Sequence, residues 1–189
     1  MLGTAAQGPS AATPLHAPSQ ARVASRNSFV IDFKAACFDT LAIVMQLCDT
    51  GLSDYLRAHE GTPAGAAQVQ PYPQLSWSFV TEVAKQAASA LSCLHDPNVG
   101  ILHNDVRADN MVLLMEGCRQ HVTLKICDLG LAQHVGQQEE VFVPAEYVTN
   151  PLWRPDEMQW TPEGYRVNRK TDVFALGELQ LIHSWLLPA

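Results

Sequence analysis

The chain contains no Cys-x-x-Cys pair, and its cysteines (Cys37, Cys48, Cys93, Cys118, Cys127) are odd in number. That spacing favours neither a zinc site nor a disulfide framework. Reduced thiols in a cytosolic or organellar protein fit it better. There is no basic block either: charged residues are 16% of the chain and the formal net charge is −7. The overall field therefore gives no reason to expect nucleic acid as a partner. No apolar run reaches membrane-spanning length, so no membrane is expected as a partner. A nucleotide-binding P-loop is excluded as well. Gly61-Thr-Pro-Ala-Gly65 lacks both the spacing and the following Lys-Ser/Thr that cradle phosphates.

What is present suits one soluble domain. A chain of 189 residues with 47% hydrophobic content can bury one substantial core. Residues 1–28 stand apart: they are rich in Ala, Pro, Ser and Gly and show no hydrophobic period. Such composition cannot repay its ordering entropy, so a disordered tail is expected. The first acidic residue is Asp32, and Arg22 and Arg26 precede it. This acid-poor start shares a feature of organelle transit peptides, although a plain tail on a cytoplasmic protein is the simpler expectation.

From residue 29 the chain reads as α+β. Phe29-Val-Ile-Asp-Phe33 and Leu41-Ala-Ile-Val-Met-Gln-Leu47 predict paired strands, being short, apolar and rich in β-branched residues. Cys48-Asp-Thr-Gly-Leu-Ser-Asp-Tyr-Leu56 follows as a turn and short helix, and 59–73 reads as a Pro- and Gly-marked loop. Between Trp77 and His95, Val80, Val83, Ala84, Ala87, Leu91 and Leu94 recur at helical spacing, and Asp96-Pro-Asn-Val-Gly100 ends that helix. Met111–Leu114 and Val122–Ile126 predict a hairpin. Residues 131–156 read as one long loop, and Lys170 to Leu187 as a hydrophobic helix with Thr171 and Asp172 in its first turn.

The chemistry-bearing residues lie in two polar loops, each attached to an apolar run. Ile101-Leu-His-Asn-Asp-Val-Arg-Ala-Asp-Asn110 carries Asp105, Arg107 and Asn110, and Leu124-Lys-Ile-Cys-Asp-Leu-Gly130 carries Asp128. Two carboxylates, an amide and a cation suit phosphoryl transfer. One carboxylate can orient a hydroxyl nucleophile, while the other and the amide hold magnesium on phosphates. These stretches resemble the His-Arg-Asp-Leu-Lys-x-x-Asn and Asp-Phe-Gly motifs of protein kinases, at the right separation. The resemblance extends over residues 29–187. Residues 41–56 look like the last small-lobe strand, the hinge and the helix after it. Thr149-Asn-Pro-Leu-Trp-Arg-Pro-Asp-Glu157 resembles the segment ending in Ala-Pro-Glu, with Glu157 preferred over Asp156 as the motif Glu. Thr171-Asp-Val-Phe-Ala-Leu-Gly177 resembles the central large-lobe helix, whose Asp anchors the catalytic-loop backbone.

The resemblance implies a protein-kinase-like α+β fold: mostly the helical large lobe with two small-lobe strands, as a partial domain over 29–189. It implies transfer of the ATP γ-phosphoryl group to a protein substrate, with Mg2+. Asp105 and Arg107 would be catalytic. Asn110 and Asp128 would bind metal, and Met45, Gln46, Cys48 and Val112 would bind nucleotide, Met45 as gatekeeper. Serine/threonine is favoured as acceptor, because Arg107 stands two residues after Asp105, where those kinases carry Lys. His103, Leu129 and Asp172 would be structural. Asn104 replaces an Arg that receives a phosphorylated loop, which argues against activation through phosphate at Tyr147 or Thr149.

Two expected motifs are missing. No Gly-x-Gly-x-x-Gly precedes the hinge, and only ten residues separate Lys34 from Met45, too few for it to be the strand Lys that pairs with a helical Glu. Three further readings stay open: a pseudokinase or binding module, a small-molecule kinase of related fold, and a fragment whose central helix would expose apolar surface.

Overall fold

The computed structural model describes residues 29–37, 39, 42–59, 76–116, 121–144, 155, 158 and 160–179. Residues 1–28, Tyr147, Thr149 and the helix expected beyond Leu179 lie outside them, as does all of the Thr149–Glu157 stretch except Pro155. In chain order the strands are β1 (Phe33–Cys37), β2 (Ala42–Met45), β3 (Thr50–Gly51), β4 (Ile101–Leu102), β5 (Met111–Glu116), β6 (His121–Ile126), β7 (Gln133–His134), β8 (Glu140–Pro144), β9 (Trp160–Thr161) and β10 (Gly164–Asn168). The helices are α1 (Leu52–His59), α2 (Trp77–His95) and α3 (Arg169–Gly177), with a 3-10 turn at Ala108–Asn110. They are arranged with small sheets ordered β1-β2, β3-β5-β6, β4-β7 and β8-β10-β9. This is the mixed helix and strand content expected.

The long helix α2 spans the bounds that its periodicity predicts. Ser76 caps it, accepting the Phe79 N–H at 3.1 Å. Its buried face is Phe79, Val80, Val83, Ala87, Ala90, Leu91 and Leu94, joined by one polar residue, Gln86. The exception has a physical reason. β6 is the outer strand of its sheet, and an outer strand leaves backbone groups unpaired. Gln86 donates to Val122 O at 3.0 Å and accepts from Leu124 N at 2.6 Å, so a helix side chain takes the place of a missing strand.

The rest of that edge is covered by residues expected elsewhere. The sequence predicts a strand at Phe29–Phe33 paired with its neighbour, but the pairing begins at Phe33. β1 meets β2 antiparallel from Phe33↔Met45 to Cys37↔Ala42, through a bulge. Phe29–Ile31 instead runs parallel to the end of β6, with Ile31 N donating to Ile126 O and Ile126 N to Phe29 O, at 2.9 and 2.8 Å. Burial decides this. Val30 is 1% exposed against the core, while Ala35 and Cys37 pair on an exposed hairpin.

The expected loop at 131–156 holds two strands. β7 pairs with β4 as Ile101↔His134 and Leu102↔Gln133, and β8 pairs with β10 along its whole length. The alternating Val141 and Val143 bury against Val167, Leu102 and Val135 as a second, smaller core. The main core gathers α1, α2, β5, β6 and the start of the chain's described part.

Candidate active site

The β5–β6 hairpin brings the two polar loops together. Its register, Met111↔Ile126 through Glu116↔His121, leaves Asn110 and Cys127 facing each other at the open end, where Cys127 N donates to Asn110 O at 2.9 Å. Asp128 is the next residue. Asn110 and Asp128, separated by a whole hairpin in sequence, thus lie at one end of one ladder.

Asn110 is 7% exposed and its amide orientation is set by Asp105. Nδ2 donates to the Asp105 backbone oxygen at 2.8 Å and to its carboxylate Oδ2 at 2.6 Å. With the nitrogen so engaged, the carboxamide oxygen is the end left for a hard cation. Asp128 is exposed and has a backbone φ of +59°. A non-glycine residue in this region is uncommon, and such conformations concentrate at functional sites. Its Oδ1 accepts the Gly130 N–H at 3.1 Å, which steadies the carboxylate at the turn. Among the described residues no cluster of three His, Cys, Asp or Glu could hold a metal unaided. One amide and one carboxylate oxygen fit magnesium, which takes few protein ligands and completes its shell from phosphate and water.

Beneath this pair lies a buried anchor. Asp172, 2% exposed on the first turn of α3, accepts His103 N–H at 2.8 Å and Asn104 N–H at 2.9 Å, and its Oδ2 meets His95 Nε2 at 2.8 Å. His103 is itself fully buried; Nε2 lies 3.1 Å from Cys127 O, and Nδ1 accepts from Asp105 N at 3.3 Å. Both contacts are satisfied together when the ring hydrogen sits on Nε2. One imidazole therefore bridges the two loops. Asn104, at φ +62°, adds a second bridge through Nδ2 to Leu131 O at 3.0 Å.

Arg107 is placed differently from a free phosphate-binding cation. Its guanidinium doubles onto Asp109, with Nε at 3.0 Å from Oδ2. The Ser53 hydroxyl on α1, and then Arg107, hold the Asp109 carboxyl below the usual carboxylate range against the opposing effect of burial. Arg107 thus shares its charge with a carboxylate two residues away.

The expected nucleotide residues lie on β2, on the segment after it, and on β5. Met45 ends β2 and is 45% exposed. The Gln46 N–H is already given to Asp32 O at 2.8 Å, and its carbonyl oxygen has a long contact of 3.8 Å with Cys48 Sγ. Gln46 Oε1 is buried without a hydrogen-bond partner among the described residues. The pairing Gly51↔Val112 places the end of this stretch beside Val112, which lies across from Lys125 on β6. Burial pushes the Cys48 thiol up, and the Cys127 thiol up to about 11.

Lys34 is on the exposed β1, 3.5 Å from Asp32. Asp32 also lies 3.6 Å from the buried Lys125 ammonium. The residues that sequence reasoning missed are His95 and Ser53, whose side chains meet the Asp172 and Asp109 carboxylates, and Arg169, whose guanidinium binds three backbone carbonyls. The short range of sequence patterns carries no signal for the last of these.

Comparison with known proteins bears on this arrangement. The sequence model of the family described as protein tyrosine and serine/threonine kinase matches residues 17–181. A probable serine/threonine-protein kinase of Dictyostelium discoideum, roco8, is 26% identical over 153 residues, which is 80% of this chain and 7% of that protein. Another from the same organism, pats1, is 28% identical over 152 residues, 78% of this chain and 4% of that protein. Extracellular signal-regulated kinase 1 of Candida albicans is 27% identical over 141 residues, 74% of this chain and 28% of that protein. The chain thus spans well under a third of each of these relatives.

Proposed function

Because the chain belongs to the protein tyrosine and serine/threonine kinase family, we propose that it binds Mg-ATP and transfers the γ-phosphoryl group to serine or threonine of a protein substrate. The observation that carries this reading is the Asn110 amide. It donates to Asp105 on one side, and its backbone oxygen accepts from Cys127 beside Asp128 on the other. A base for the hydroxyl and two oxygen donors for a cation then belong to one bonded unit.

In this mechanism Asp105 orients the acceptor hydroxyl and takes its proton as the phosphoryl group moves. Asn110 Oδ1 and the Asp128 carboxylate would hold magnesium, which neutralises phosphate charge when bound. Arg107 turns from Asp109 toward the γ-phosphate. The Gln46 carbonyl and the Cys48 backbone meet the adenine edge, with Met45 and Val112 bounding the ring. His103 and Asp172 keep the two loops in register and touch no reacting atom.

A binding module without phosphotransfer is the second reading. It is favoured by Lys34, which pairs with Asp32 on an exposed strand, and by Arg107, which is engaged by Asp109. Titration calorimetry with Mg-ATP on the chain and on Asp128→Ala separates the two, followed by a phosphotransfer assay with Asp105→Asn as control. The kinase reading expects binding that Asp128→Ala abolishes, and turnover that Asp105→Asn lowers by about 10²–10⁴-fold. A folded chain that binds no Mg-ATP sinks it.

A further inference from the structure

The first turn of α3 does more than begin a helix. Asn168 caps it by accepting Lys170 N–H at 2.8 Å, and Asp172 holds the loop at 103–104. Between them Arg169 donates to three backbone carbonyls: Nε to His95 O at 3.1 Å, Nη1 to Gln138 O at 3.1 Å and Nη2 to Gly136 O at 2.6 Å. No carboxylate pairs with it among the described residues. A planar fork with five fixed donors can bind carbonyls from separate segments only if those segments are held side by side.

The segments it joins lead to the two halves of the site. Gly136 N and Val135 N both donate to Gly100 O, at 3.0 and 2.7 Å, and Gly100 opens β4. β4 runs directly into His103–Asp105. β7, which precedes Gly136, is the continuation of Asp128–Leu131. The β4–β7 ladder, two residues on each strand, therefore sets how the loop of Asp105 lies against the loop of Asp128. So short a ladder is marginal alone, and Arg169 closes its far end onto the last residue of α2.

We propose that Arg169 is a positioning residue: by clamping 136–138 to the end of α2 it fixes the spacing between Asp105 and Asp128. The catalytic part of this inference rests on the phosphoryl-transfer reading; the structural part does not. Lysine cannot replace it fully, because one ammonium on a flexible stem cannot reproduce three divergent bonds in a plane.

The test compares the full chain with Arg169→Met and Arg169→Lys by amide hydrogen exchange and by phosphotransfer kinetics. In Arg169→Met, exchange at 133–138 rises at least tenfold while β5 and β6 stay within twofold of the parent. The kcat falls tenfold or more with KM for ATP within threefold, and Arg169→Lys is intermediate in both. Unchanged exchange at 133–138, a uniform rise across α2, β5 and β6, or a lysine variant equal to the parent would overturn the proposal. If the methionine variant does not fold, the lysine variant carries the same comparison. A parent chain without phosphotransfer overturns the functional reading alone, because exchange at 133–138 still decides whether Arg169 holds the ladder.

Discussion

Asp172 accepts the backbone N–H of His103 at 2.8 Å across 69 positions of sequence, and both residues are buried. The same carboxylate serves Asn104 N–H and His95 Nε2. Removing it leaves buried donors without an acceptor, each carrying a desolvation cost of about 1–3 kcal/mol. Asp172→Ala is expected to lose about 3 kcal/mol or more in urea unfolding, and Asp172→Asn less, since one amide oxygen remains. A loss under about 1 kcal/mol in the alanine variant would mean that the loop keeps its shape without this anchor.

On the phosphoryl-transfer reading Arg107 leaves Asp109 to meet a phosphate, so the two contacts compete. The pair is half exposed, and pairs of that kind are worth about 0.2–1 kcal/mol. Asp109→Asn should then tighten Mg-ATP binding by at most about fivefold, measured by calorimetry. Arg107→Met in the same background should remove the gain. Tightening that survives Arg107→Met would show that the carboxylate, and not the competition, sets the affinity.

How much of this was legible follows from the range of each interaction. α2 could be read because its period and its terminating Asp96-Pro97 are local, and the β5–β6 hairpin because its strands are neighbours. The four polar loop residues were picked out by their spacing together with the motif resemblance it carries. β8, β9 and β10 could not: Glu140-Val-Phe-Val-Pro144 is short, and its partner Gly164–Asn168 is distant and carries a charge. The shift of β1 away from Phe29 depends on Val30 finding Ile126, a contact no window of sequence contains. The site has the same division. Residue types were legible, but the Arg107–Asp109 pairing and the Arg169 clamp depend on which groups the fold sets face to face.

Two glycines give opposite expectations. Gly100 has φ +60°, and a Cβ there would lie 2.4 Å from Gly136 Cα, a backbone atom that cannot swing aside. Gly100→Ala should cost about 3 kcal/mol from strain and overpacking together. Gly177 ends α3 with nothing among the described residues within 4 Å of an added Cβ. Gly177→Ala should stabilise by about 0.5 kcal/mol through reduced freedom of the unfolded chain. Denaturation midpoints decide both, and an unharmed Gly100→Ala would contradict the close packing of the two turns.

Tyr55 supplies the pH dependence. It is fully buried on α1, stacked on Phe79 with ring centroids 4.8 Å apart, and burial pushes its phenol up from 10.0 to about 12. The folded state therefore keeps its proton where the unfolded chain releases it. The associated stability is fully present below pH 10 and is lost as pH rises through about 12. Urea unfolding of the chain and of Tyr55→Phe between pH 9 and 12 isolates this group from others titrating in the same range. The difference in stability between the two should be constant below pH 10 and then shift in favour of the phenylalanine variant as the pH climbs. Parallel curves would mean that the phenol ionises as easily in the folded chain as in the unfolded one, and that its burial does not persist in solution.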